Sequence, residues 1–201
     1  PNYATARHWY GNSTLLALGR FDEAVAEGRR AQELDPLSLI INSDLGADYF
    51  YARRYDEAIA QLKKTVEMDQ GFYTAHYFLG MAYTMKGAFA EAIAEYRRAL
   101  QLSDDPFVLA YLGHAFAASG NREEAIKTLN QLKSIARQRY VPAYSFAILY
   151  AAVGDKEQAF VWLEKLYQDR AFDIAYLNVD PFFDTLRADP RFADLVKRVG
   201  L

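Results

Sequence analysis

The chain contains no cysteine. Disulfides and thiolate metal sites are thereby excluded, which fits a reducing compartment, and a cytoplasmic location is expected. No apolar run approaches the roughly 18 residues of a membrane span, and no signal-peptide pattern opens the chain. An excess of one charge is also missing. The 23 basic and 26 acidic residues leave a net charge of −3 in short mixed-sign groups, so the sequence does not read as a surface for gripping nucleic-acid phosphates.

Catalytic signatures are absent too. There is no HExxH pair, no glycine-rich phosphate loop and no serine nucleophile elbow. The three histidines, His8, His76 and His114, form no closely spaced ligand set. Glu91 and Glu95 stand one helical turn apart, a spacing that suits an acid–base pair. Glu95 has Arg98 three residues on, and a solvated helix face is the expected setting for both. No enzymatic activity, cofactor or metal is expected.

What the chain does have is a period. The phrases GRFDEA, RRYDEA, GAFAEA, GNREEA and GDKEQA close on Ala24, Ala58, Ala92, Ala125 and Ala159, in steps of 34, 34, 33 and 34 residues. Such a beat marks a repeat architecture and outranks local propensity. In each period one stretch with apolar residues at three- and four-residue spacing precedes the phrase, and another follows it. A short turn between two such stretches makes antiparallel helix neighbours. Gly46, Gly80 and Gly113 fall inside first helices, where glycine is tolerated best if another backbone comes close. The alanines of the phrases are the facing small residues. Asp35-Pro36 and Asp105-Pro106 are predicted helix boundaries, aspartate as cap and proline in the first turn.

This pattern resembles the tetratricopeptide repeat (TPR) family. The third period carries it most fully, with Leu79, Gly80 and Tyr83 in the first helix, Gly87 in the turn, and Ala92, Tyr96 and Ala99 in the second. Departures are Asn12 in the first glycine place, Gly28 in an aromatic place, Arg53 in a turn-glycine place and Ala147 in the fifth glycine place. The resemblance implies an all-α, right-handed superhelical solenoid of antiparallel hairpins with a concave groove lined by first helices. The expected organisation is a solenoid over 1–170, in repeats 3–37, 38–71, 72–104, 105–138 and 139–170, followed by capping helices over 171–201.

The family's helical phase then places groove residues. Candidates are Trp9, Ser13, Ser43, Phe50, Tyr51, Tyr77, Met81, Met85, His114 and Tyr144. They make an aromatic and small-residue surface, without the lysine and asparagine that chaperone-binding members use to clamp a terminal carboxylate. The expected ligand is therefore an apolar or aromatic protein or peptide segment. Plainer readings stand beside these: Trp9 packing against a preceding unit, and Met81 with Met85 filling core gaps. His8 and His76 share a place where helix–helix packing is expected. Basic pairs recur at Arg29-Arg30, Lys63-Lys64 and Arg97-Arg98. They read either as an outer ridge for an acidic partner or nucleic acid or as ordinary compensation of helix-surface charge and dipole.

After Tyr167 the beat stops. Asp180-Pro181 and Asp189-Pro190 each propose a cap and a short helix, with Phe182, Phe183, Leu186, Phe192, Leu195 and Val196 as apolar contacts, and an end cap over the last hairpin is expected. This segment is similar to the closing stretch of bacterial multidomain regulators whose other half is a winged-helix, kinase or cyclase unit, and it implies such an upstream domain. The function expected is a noncatalytic protein- or peptide-binding scaffold; self-association into a homodimer is the second expectation.

Overall fold

A computed structural model describes residues 3–200; positions 1, 2 and 201, the outer ends of the two expected regions, lie outside it. Among the described residues there is no strand. Helix α1 (Ala4–Trp9) runs on through a π-helical stretch, Tyr10–Leu15, and pairs with α2 (Phe21–Leu34). Four further hairpins follow: α3 (Leu39–Tyr51) with α4 (Tyr55–Met68), α5 (Tyr73–Met85) with α6 (Phe89–Leu102), α7 (Pro106–Ala118) with α8 (Arg122–Ala136), and α9 (Ala143–Val153) with α10 (Lys156–Gln168). Two 3-10 segments, Phe172–Tyr176 and Pro181–Leu186, lead to α11 (Pro190–Val199).

Each second helix also packs on the following first helix, and the first helices α3, α5, α7 and α9 pack in succession. The two helix types differ accordingly. Second helices bury one stripe, as α4 does with Ala58, Gln61, Leu62 and Thr65. First helices have neighbours nearly all round, and α9 buries ten of its eleven residues.

The small residues set the approach within a hairpin. A Cβ on Gly80 would lie 2.7 Å from Cε1 of Tyr96, inside any real contact, so only glycine lets the buried Tyr96 ring lie across α5. In the first hairpin the sequence register puts Asn12 at that place. The π turn, with Leu16 N–H donating to the Gly11 carbonyl at 3.1 Å, lets Gly11 meet α2 instead. Asn12 then donates from Nδ2 to Asp48 at 3.3 Å.

Turns between paired helices use Gly19, Gly87, Gly120 and Gly154, all at positive φ between 69° and 84°. The second hairpin places Arg53 there, at φ 60°. Asp105 caps α7 as expected, accepting from Phe107 N–H at 2.9 Å. Asp35 does not cap α3: α2 ends at Leu34, and Ser38 takes the capping place, accepting from Ile41 N–H.

The periodic basic residues find a local use. Arg29 lies over the ring of Tyr49, Lys63 over Tyr83 and Arg97 over Phe116, at 5.6, 5.8 and 5.9 Å from the centroids. Lys133 over Tyr150, at 5.3 Å, extends the series. The first member of each pair thus spans from a second helix to an aromatic of the next first helix. This cation–π ladder ties repeat to repeat.

Candidate functional site: a concave groove filled by the chain's own tail

The groove positions predicted from helical phase fall on the successive first helices, but they do not line an open channel. Phe50, Met81, Ser43 and Tyr144 are buried, and Tyr51, Tyr77, Met85 and His114 partly so. The cover is the segment after α10. Phe182 sits between Phe50, Tyr111 and His114, with ring centroids at 5.9, 4.6 and 4.7 Å. Phe183 meets Tyr144 edge to face at 5.3 Å. Tyr176 lies on Tyr51 at 5.4 Å and donates its hydroxyl to the Asn12 carbonyl at 3.0 Å, beside Ser13. Tyr77 meets Tyr111 at 5.3 Å, one ring removed from Phe182. Trp9 stands apart, 57% exposed, with its ring against neighbouring His8.

The tail therefore divides into two parts. Helix α11 lies against α10, with Arg191 paired to Glu157 and Arg198 to Glu164, where an end cap belongs. The 3-10 segments instead turn inward and bridge the concave face from α9 back to the first two hairpins. Asp180 caps the second segment, accepting from Phe182 N–H at 2.8 Å. The residues named from the sequence as tail contacts are buried, Val196 partly. Leu177, Val179 and Tyr176 add to them, and Val179 and Tyr176 close a small core with Leu15, Leu16 and Ala24.

Three buried polar features stand out. Asp180 is fully buried; burial pushes its carboxyl up to about 6, against the pull of the Tyr144 hydroxyl and Phe182 N–H that donate to it. Burial pushes His114 down to about 4, and its Nδ1 has no partner. Ser43 Oγ on α3 is likewise enclosed and unpartnered. At the rim, Arg53 holds Asp184 in a bidentate pair, at 2.7 and 2.8 Å. Arg187 adds a bond to the same carboxylate at 2.6 Å. Burial works against it, yet these two guanidinia keep the Asp184 carboxyl below its ordinary range.

Sequence reasoning missed Asp180, Tyr176 and the Arg53–Asp184 pair as groove residues. One signal was present in Arg53, a bulky residue in a turn that its sibling repeats build with glycine. Another was the number of large apolar side chains between Phe172 and Leu186, more than one hairpin end needs for cover.

The other titratable candidates are tied up locally. His76 is bonded from Nδ1 to Glu95 at 2.6 Å and from Nε2 to the Gln70 carbonyl at 3.1 Å, and the Glu95 bond raises its pKa. His8 is bonded to Asp44. Glu95 thus serves a helix–helix contact, not an acid–base pair with the exposed Glu91. No group of three or more His, Cys, Asp or Glu among the described residues is placed to hold a metal ion. No helix among them is long and apolar enough to cross a membrane.

No curated protein is matched by the sequence. Solved structures do match in fold. A thermophilic TPR protein of Thermus thermophilus superposes with a TM-score of 0.68 at 20% identity, over 97% of this chain and 100% of its own. A chain of the APC/C hetero-tetramer Cut9–Hcn1 gives 0.65 at 17% identity, over 98% of this chain and 43% of its own. MamA of Desulfovibrio magneticus gives 0.59 at 20% identity, over 70% and 79%. Identities this low show the shared fold alone. Two family models, both described as tetratricopeptide repeat, match residues 43–106 and 83–145, and together they run over just more than half of the sequence. With its hairpin pairing, small-residue contacts and turn geometry, the chain belongs to the tetratricopeptide repeat family.

Proposed function

We propose that the chain is a noncatalytic protein- or peptide-binding scaffold, serving as the interaction or sensory region of a larger cytoplasmic regulatory protein of bacteria. One observation carries the binding role: the concave face takes up an irregular segment by its aromatic side chains, and Phe182 and Phe183 are the occupants. A rigid stack of hairpins spends little conformational entropy in receiving such a segment. A similar fold occurs in a chain of the APC/C hetero-tetramer Cut9–Hcn1, an assembly of two proteins. The bacterial-regulator setting rests on the likeness of residues 179–201 to the closing stretch of such proteins. Groove contacts are assigned to Ser13, Ser43, Phe50, Tyr51, Tyr77, Met81, Met85, His114 and Tyr144.

Calorimetric titration of the folded chain with separated winged-helix, kinase and cyclase domains, and with aromatic-rich peptides, tests this reading. Saturable binding that weakens on Tyr77→Ala is the expected result. No saturable partner in either set would remove it. Self-association has its own supporting observation: Tyr3, Trp9 and Tyr10 of the first hairpin are 65%, 57% and 47% exposed. A monomer unchanged across a sedimentation concentration series would dispose of that second reading.

A further inference from the structure

The tail segment is seated in the groove as a ligand would be. Its backbone bonds run within the segment, Leu177 N–H to Ile174, Asp180 N–H to Tyr176 and Phe183 N–H to Asp180, so its hold on the hairpins comes from side chains. The seat is also imperfect. Asp180 brings a carboxylate into an apolar groove, and His114 Nδ1, beside Phe182, stays without a partner. Buried polar groups left in this way oppose docking.

Arg53 shows a second investment in the contact. An L-residue at φ 60° is strained where Gly19, Gly87, Gly120 and Gly154 are not. The side chain that brings the strain is the one that clasps Asp184, 131 residues further along. Backbone strain of this kind persists where the surroundings hold it, and it points to a functional role for the residue.

We propose that residues 176–184 are an internal ligand, clasped by Arg53, which keeps the groove closed and yields it to a partner segment of the same chemistry: an acidic residue followed within three positions by two aromatic side chains. This rests on reading the concave face as a protein-binding surface. The template is Asp180-Pro181-Phe182-Phe183 itself. The acid meets the Tyr144 hydroxyl, the first aromatic enters between Phe50, Tyr111 and His114, and the second lies on Tyr144. A donor near His114 Nδ1 would satisfy a group that the tail leaves bare. The tether gives the tail a high effective concentration, so an outside segment sees the groove only in the fraction of molecules that are open.

The test uses the full chain and a fluorescent peptide of residues 175–187, read by anisotropy. The receptors are wild type, Arg53→Gly, and the Phe182→Ala/Phe183→Ala double variant, each checked for helicity. Arg53→Gly restores the turn residue of the sibling repeats and removes only the clasp. The double variant is expected to bind the peptide at least ~10-fold more tightly than wild type, and Arg53→Gly, which loses only a half-exposed ion pair, about 2- to 5-fold more tightly, since closure reduces apparent affinity by the open fraction. A peptide with alanine at both aromatic places is expected to lose that gain. Equal affinity for all three receptors, or no binding by a folded variant, overturns the proposal. Should the double variant fail to fold, Arg53→Gly and hydrogen exchange on wild type decide. The amides of Leu177, Asp180 and Phe183 are expected to exchange ahead of those in α5 and α7, and exchange only through global unfolding overturns it. A variant that dimerises by trading tails between copies also overturns it. If the peptide fails while another partner binds saturably, the scaffold reading survives; if neither binds, both fall.

Discussion

Arg53 carries two opposed effects. The left-handed backbone costs an L-residue about 1–2 kcal/mol, while its half-exposed pair with Asp184 returns roughly 0–1 kcal/mol. Arg53→Gly is therefore expected to leave unfolding free energy within about 1 kcal/mol of wild type or to raise it. Asp184→Ala loses the pair without relieving the turn and is expected to destabilise by about 1 kcal/mol. Urea denaturation of both distinguishes them, and a larger loss from Arg53→Gly than from Asp184→Ala would contradict the strain at residue 53. His114 and Asp180 supply opposite pH dependences beneath the tail. His114 is held down at about 4, so its share of stability is present above its ordinary value near 6.5 and is lost as pH falls toward 4. Asp180 is held up at about 6, so its share is present below its ordinary 3.8 and is lost as pH rises through 6. Relative to wild type, His114→Leu should gain stability steadily from pH 6.5 down to 4. Asp180→Asn should gain most near pH 7 and nothing near pH 4. Unfolding curves across that range that stay parallel for variant and wild type would refute either assignment.

At the scale of single helices, the hairpin contact at Gly80 is the least forgiving. Tyr96 is fully buried with its hydroxyl 3.2 Å from Thr84 Oγ1, so it has nowhere to retreat from an added methyl. Gly80→Ala is expected to destabilise by about 2 kcal/mol through overpacking. In a Tyr96→Leu background the same substitution should cost less than half as much, and equal costs in the two backgrounds would show that the clash is elsewhere. The hairpins themselves were legible in the sequence because a helix registers every third and fourth residue, and five copies of one phase error would have been needed to hide the period. The π turn at Tyr10–Leu15 was not legible, since Asn12 in a glycine place signals a departure without saying how the backbone absorbs it. The use of Arg29, Lys63 and Arg97 over rings of the next repeat was half legible: the period was visible, but two readings of exposed charge were open and neither named the aromatic partner. Phase also set the groove candidates on the first helices, next to which the tail segment lies. It did not disclose their cover, because a 3-10 segment of five or six residues leaves no periodic trace.

On the scale of the whole molecule, the tail changes what kind of solenoid this is. In an open repeat array each unit touches only its neighbours, and stability is close to a sum of local terms. Here Tyr176 bonds Asn12, and Phe182 touches both α3 and α7, so distant hairpins share one closure. Wild type should accordingly unfold in a single transition. With Phe182→Ala/Phe183→Ala, each substitution removing about 3–5 kcal/mol of packing, the first hairpin is expected to melt ahead of the rest. Single-tryptophan versions retaining Trp9, in the first hairpin, or Trp162, stacked on Phe146 in the fifth, report the two ends separately. Midpoints that still coincide in the double variant would mean that the closure does not couple them.

The contact between Tyr176 and Asn12 also bears on synthesis. A ribosome delivers the first hairpin long before the residue that covers it, and at about 5–20 residues per second the interval is on the order of ten seconds or more. From the moment each is made, the rings of Phe50, Tyr51 and Tyr111 lack the tail side chains that meet them in the folded chain. The nascent chain is thus at its most adhesive just before residues 176–183 emerge, and a chaperone or a cognate segment present during translation meets a receptor that the closed groove no longer displays.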